Sequence, residues 1–133
     1  MSGQAPLVRE LKATAVALGA AVVGSTVVGE APFAGTVTEA VFRSAGTVTL
    51  NAANYRTFTL FNRGTAGAGV VSVATLDTSA TTLVDNDERA MVLSATPANL
   101  TVAADDVLEL VETVTGTGVA HSGGEVGVSI SRT

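Results

Sequence analysis

Residues 103–132 read AADDVLELVETVTGTGVAHSGGEVGVSISR, and this stretch decides the fold. Val126, Val128 and Ile130 alternate with Glu125, Gly127, Ser129 and Ser131. A period of two gives a strand with one buried and one wet face. Upstream, Val107, Leu108, Leu110, Val111 and Val114 place apolar groups on both sides of a second strand. A strand covered on both faces belongs in the middle of a sandwich or at a subunit interface. Asp105-Asp106 marks where it begins, because Asp favours turns and resists strand interiors. The glycine-rich run 115–124 connects the two strands.

Working outward, Tyr55–Asn62 (YRTFTLFN) is the richest run of aromatic and β-branched residues. It predicts a strand, joined through Arg63–Gly69 to another at Val70–Leu76 as a hairpin. Residues 33–42 alternate, with Phe33, Val37 and Val41 set against Thr36, Thr38 and Phe42. Thr47–Leu50, Ala90–Leu93 and Leu100–Val102 are short strand candidates, and Thr81–Val84 is long enough to pair briefly. Asn51–Asn54 and Ala95–Asn99 are turns. No window keeps a helical period. The pattern predicts an all-β fold: a single antiparallel β-sandwich or jelly-roll-like domain of about eight strands with an extended N-terminal arm. The division is 1–29 for the arm and 30–133 for the sandwich. Its core is expected to hold Phe58, Leu60, Val73, Leu108, Leu110, Val128 and Ile130.

Three readings compete for the uncharged run 13–29. It is short and rich in Gly, Ser and Thr for a membrane span. A secretory signal would explain its small residues, but Glu10 sits in what would be the basic region. The density of Val22, Val23, Thr26, Val27 and Val28 favours an extended β-arm. Such an arm needs a neighbour to cover it, so Leu7, Val8, Val22, Val23, Val27 and Val28 are expected at an interface.

The 133-residue chain carries a net charge of -5, and only 14% of its residues are charged. One lysine and scattered arginines do not make the basic patch that nucleic acid requires. A surface this poor in charge is weakly defended against association. Cysteine and tryptophan are absent and tyrosine occurs once, so a disulfide framework is excluded and a sugar-stacking platform is disfavoured.

Few residues suggest chemistry. His121 is the single histidine, and its neighbour Ser122 in a glycine-rich loop does not supply a nucleophile–base geometry. One histidine and no cysteine do not make a structural zinc site. Asp85, Asp87 and Glu88 are the candidates for a metal, calcium in particular, but an EF-hand's glycine and distant glutamate are missing. A solvated turn with Asn86 at positive φ is the competing reading. Glu109 and Glu112 lie on opposite faces of their strand because their spacing is odd. One of them must point inward or into an interface, where Arg56 or Arg132 is needed to offset desolvation. The glycine clusters at 64–69 and 116–124 lack the ending of a phosphate loop. No enzyme and no cofactor are indicated.

The runs APFAGTVTEAVF (31–42), YRTFTLFNRGTAGAG (55–69) and the block 103–132 resemble small head proteins of tailed phages, notably those infecting actinobacteria. The resemblance covers about 31–133 and is to the capsid decoration, or cement, class. It implies a structural virion protein on the capsid exterior, assembled in the host cytoplasm. It also implies the major capsid protein as partner and a homo-oligomer, with a trimer favoured over a dimer. Neither nucleic acid nor membrane is an expected partner. The alternative is a receptor- or carbohydrate-binding sandwich of a phage tail or cell surface, working through the 63–69 and 115–124 loops.

Overall fold

The computed structural model describes residues 7–133. It contains ten strands: β1 (Val8–Ala15), β2 (Gly24–Glu30), β3 (Gly35–Ser44), β4 (Tyr55–Asn62), β5 (Val71–Asp77), β6 (Glu88–Ala90), β7 (Val92–Leu93), β8 (Thr101–Val102), β9 (Val107–Thr115) and β10 (Gly124–Arg132). Pro97–Leu100 forms one 3-10 turn, opened by the proline whose missing N–H costs nothing at that position. In β4 every second residue is buried, the pattern its sequence predicts.

The strands form two five-stranded antiparallel sheets. One has the order β1-β10-β3-β6, with β8 also on β3, and the other runs β2-β9-β4-β5-β7. Consecutive strands change sheet at every step except the hairpin β4–β5. With β7 and β8 set aside, that interleaving of two four-stranded sheets is the jelly-roll order. The strands of the opening stretch, β9 and β10, are therefore not partners. Each lies inside a different sheet, β9 between β2 and β4 and β10 between β1 and β3, and residues 116–123 carry the chain across the end of the sandwich.

The inner faces meet in one apolar core. Phe58, Leu60, Val73, Leu108, Leu110, Val128 and Ile130 are all fully buried there, as the sequence predicts. Phe42 of one sheet stacks on Phe58 of the other with ring centroids 4.7 Å apart. Burial of such side chains contributes about 1.5–3 kcal/mol each.

The predicted alternation over 33–42 fails for a definable reason. The β3–β10 register shifts between Ser129 and Ile130, which pair with Glu39 and Val37. Thr38 is the extra residue of this bulge, and an extra residue inverts the phase of everything after it. Val37, Ala40 and Phe42 consequently all face the core. Val41 turns outward and is sheltered beside Gly127, where no side chain intervenes.

Residues 88–93 are likewise not one strand. Glu88–Ala90 pairs with β3, and Val92–Leu93 pairs with β5 in the other sheet, so the chain turns a corner at buried Met91. Val48 and Leu83 make an isolated bridge that ties two short predicted strands, Thr47–Leu50 and Thr81–Val84, together.

The separate arm is corrected over residues 8–29; residues 1–6 lie outside the described residues. Val8–Ala15 pairs with β10 along eight positions, and Gly24–Glu30 pairs with β9. Both are outermost strands of their own chain's sheets. Val28, expected at an interface, is instead in the core at 6% exposure. Val28 follows Gly24 and Thr26 onto the inner side, as a period of two requires, and the bulge between Val27 and Gly29 sets Gly29 opposite Leu108 as well. Leu11 of β1 packs on Gly29 of β2 and seals this side of the sandwich.

Candidate functional site

The buried polar groups converge at one end of the sandwich, at two of the crossings between sheets that the chain makes there, 16–23 and 116–123. Arg56 on β4 and Glu112 on β9 both face inward, because Arg56 pairs with Val114 and Glu112 with Phe58 in adjacent positions of one register. His121 enters from the second crossing, whose backbone bridges that of Leu18 in the first. The side chains of Arg56, Glu112 and His121 are 1%, 2% and 0% exposed.

Glu112 Oε1 is the shared point. It lies 3.5 Å from Arg56 Nη1 and 2.5 Å from His121 Nε2. The imidazole N–H points off the line to that oxygen, so the contact is a close electrostatic one and not an aligned hydrogen bond. His121 Nδ1 accepts from the Gly123 N–H at 2.9 Å, which assigns the ring proton to Nε2. The ring also stands edge-on to Phe58, with centroids 5.7 Å apart.

The Arg56 guanidinium has further partners. Nη1 donates to Val22 O at 2.7 Å, Nη2 to Gly19 O at 2.8 Å, and both Nε and Nη2 to Val119 O at 3.1 and 3.0 Å. One planar fork thus holds carbonyls from both crossings, a task for which five donors in fixed geometry are suited. Burial pushes the Arg56 pKa down, and Glu112 pulls it back up. Gly118 is required where the crossings touch: its φ is +68°, and a Cβ there would overlap Ala20 O.

This arrangement is closed to solvent. His121 Nδ1 is held by the Gly123 N–H, and Nε2 lies against Glu112 Oε1 without an aligned hydrogen bond. The cluster fixes the backbone of both crossings through Arg56.

The remaining predicted residues fall as follows. Glu109 points to the opposite face from Glu112 and meets Arg63 at 2.9 Å, and that arginine also lies over the Phe61 ring. Arg132 stacks on Phe33 instead of pairing with a glutamate of β9. Asp85, Asp87 and Glu88 do not converge: Asp87 faces Arg89 at 3.6 Å and Glu88 faces Arg43 at 3.2 Å. Among the described residues no group of three or more His, Cys, Asp or Glu could hold a metal ion. Asn86 is at φ 61°, the positive value its turn requires. Asp106 accepts from the Ala103 N–H and the Asn62 side chain, starting β9 as a turn residue.

Two surface features complete the inventory. An open groove of about 520 Å3 lies beside the crossings, lined by Val16, Arg43, Asn86, Ser122 and Glu125 among others. The two outer sheet faces differ in character. Around β1, β10, β3 and β6 the face carries ion pairs: Lys12 with Glu10 and Glu125, and Arg43 with Glu88. The face of β2-β9-β4-β5-β7 presents Ser25, Val27, Val111, Thr59, Phe61, Thr75 and Val92, with the Arg63–Glu109 pair internally neutralised.

Of the expected interface residues, Leu7, Val8, Val22, Val23 and Val27 are exposed. Fold and polar centre together define a jelly-roll sandwich whose charged cluster is buried. No protein-family model matches the chain, and no curated protein matches it.

Proposed function

We propose that this protein is a structural virion protein that binds the outer surface of a tailed-phage capsid lattice and stabilises the head, without catalysis. One observation carries the reading. The Arg56–Glu112–His121 cluster is buried, while the five-stranded face from β2 to β7 is open and sparsely charged, carrying the Arg63–Glu109 pair and the edge carboxylates Glu30 and Asp77. A face of Thr, Val and Phe is suited to burial against a neighbour, because little charge has to be desolvated. The jelly-roll order recurs in viral capsid domains, an analogy of fold that supports the reading without carrying it. The major capsid protein is the proposed partner, with further copies of this chain, on the exterior of the particle.

The test is direct. Purified protein is added to purified heads that lack it, followed by particle imaging and heating. Regular added density on the outer lattice and a higher temperature of DNA release are expected. Unchanged heads with no added density would rule the reading out.

A carbohydrate- or receptor-binding role is the second reading, and the groove beside Arg43, Asn86 and Glu125 is what favours it. It has no aromatic ring in its lining for a sugar to stack on. Saturable hits on a glycan array would support this role in place of capsid binding.

A further inference from the structure

We propose that the free edge of β2 is a self-association surface, on which a second copy of this chain pairs antiparallel about a two-fold axis at Ser25. The two five-stranded sheets would then join into one. This rests on the reading above that the protein works by being bound to its neighbours, and it specifies one of those neighbours.

The edges of the two sheets are not equivalent. β6, β7 and β8 are two or three residues long, and short edges offer little template. β1 is eight residues long but carries Arg9, Glu10 and Lys12, charges that oppose pairing with another strand. β2 is the exception among the described residues: from Gly24 to Gly29 it has no charge and no proline. Every second residue of an edge strand turns its N–H and C=O outward, so β2 presents an unpaired main-chain row.

The approach to this edge is also held rigid. Arg56 fixes the carbonyls of Gly19 and Val22 immediately before β2, and Val22 and Val23 stay exposed on that fixed backbone. Ordering a surface segment in advance removes part of the entropic cost of binding. Val23 and Val27 are 59% and 60% exposed, with Ser25 between them on the same face.

A two-fold axis at Ser25 makes this strand complementary to itself. Val27 of each copy falls opposite Val23 of the other, and the two Ser25 residues face each other. Glu30 lies beyond the bulge at Val27/Gly29, so no carboxylate opposes another in a protein of net charge -5. A two-fold contact closes on itself and leaves no free β2 edge to propagate a fibre. It replaces the trimer that the family resemblance implies.

The experiment uses the full chain without capsids, by sedimentation equilibrium over a range of concentrations. The unsubstituted protein is expected to show a monomer–dimer equilibrium. Ser25→Lys and Ser25→Glu each place like charges across the axis and should weaken dimerisation roughly tenfold or more. Mixing S25K with S25E should restore the dimer, a result that loss of folding could not produce. Val27→Lys serves as a second disrupting variant at an exposed site, and Val92→Lys, on the far edge, should leave the dimer unchanged. A strictly monomeric or trimeric unsubstituted protein, dimerisation that survives S25K and V27K, or failure of the S25K–S25E mixture overturns the proposal. Capsid binding is measured separately, so a negative result here leaves that reading standing.

Discussion

Glu112 and His121 meet at 2.5 Å in the interior, on a strand of one sheet and on the crossing that leads to the other. The contact holds the end of the sandwich closed, because the same carboxylate also faces Arg56, whose guanidinium binds both crossings. Removing one partner of a buried ion pair leaves an uncompensated charge. Glu112→Ala should therefore cost about 3–5 kcal/mol, read from urea unfolding at neutral pH. Glu112→Gln, which keeps the shape, should cost less than Glu112→Ala. Equal, sub-kcal losses for both would show that water reaches the centre.

Arg56→Met removes the fork but fills much of its volume. The amides held at the crossings, Leu18 N–H on His121 O and Val22 N–H on Gly19 O, should then exchange hydrogen faster than those of β4 and β10. Site-resolved hydrogen exchange makes the comparison, and uniform acceleration across the sheets would point to global destabilisation.

Gly118→Ala introduces a methyl where the backbone has positive φ and where Ala20 O already sits. Strain of this kind costs on the order of 1–3 kcal/mol. A thermal melt should show a lower midpoint, whereas Gly67→Ala, in open space, should show only the smaller backbone term.

In the core, Phe58→Ala or Leu110→Ala should each cost about 2–5 kcal/mol, because a cavity forms between two sheets that cannot collapse onto it. Val92, exposed on the edge strand β7, is the control, and Val92→Thr should stay within about 0.5 kcal/mol. Equal effects at core and edge would contradict the assignment of the two faces.

Deletion of residues 1–29 tests the place of the N-terminal strands. It removes β1 and β2, exposes β10 and β9 as new edges, and uncovers the core side that Ala15 and Val28 close. The truncated chain should lose its sharp unfolding transition and aggregate, as followed by circular dichroism and light scattering. A soluble, cooperative 30–133 fragment would return these strands to the role of an arm.

Much of the fold was legible because strand sequences carry their own period. Leu108 and Leu110, and Val128 and Ile130, declare a buried face by spacing alone. Glu109 and Glu112 could be assigned to opposite faces by the same parity, and the need for an arginine followed from desolvation. The choice of Arg56 over Arg132 depended on which strand lies beside β9, which is a matter of pairing. His121 carried no usable signal, since a histidine among glycines reads as loop whether it is exposed or sealed.

What the sequence by itself determined is local: strands, turns, the positive-φ turn at Asn86, and the residues that avoid water. These follow from side-chain chemistry and from a period of two, which neighbours along the chain can express. What only the tertiary structure decided is which edges meet. A bulge inverted the face of Phe42, the corner at Met91 split one run between two sheets, and 8–29 closed the sandwich instead of leaving it. Each depends on main-chain hydrogen bonds between residues far apart in sequence. Main-chain groups are alike at almost every position, so no side chain records in advance which strand its own will pair with.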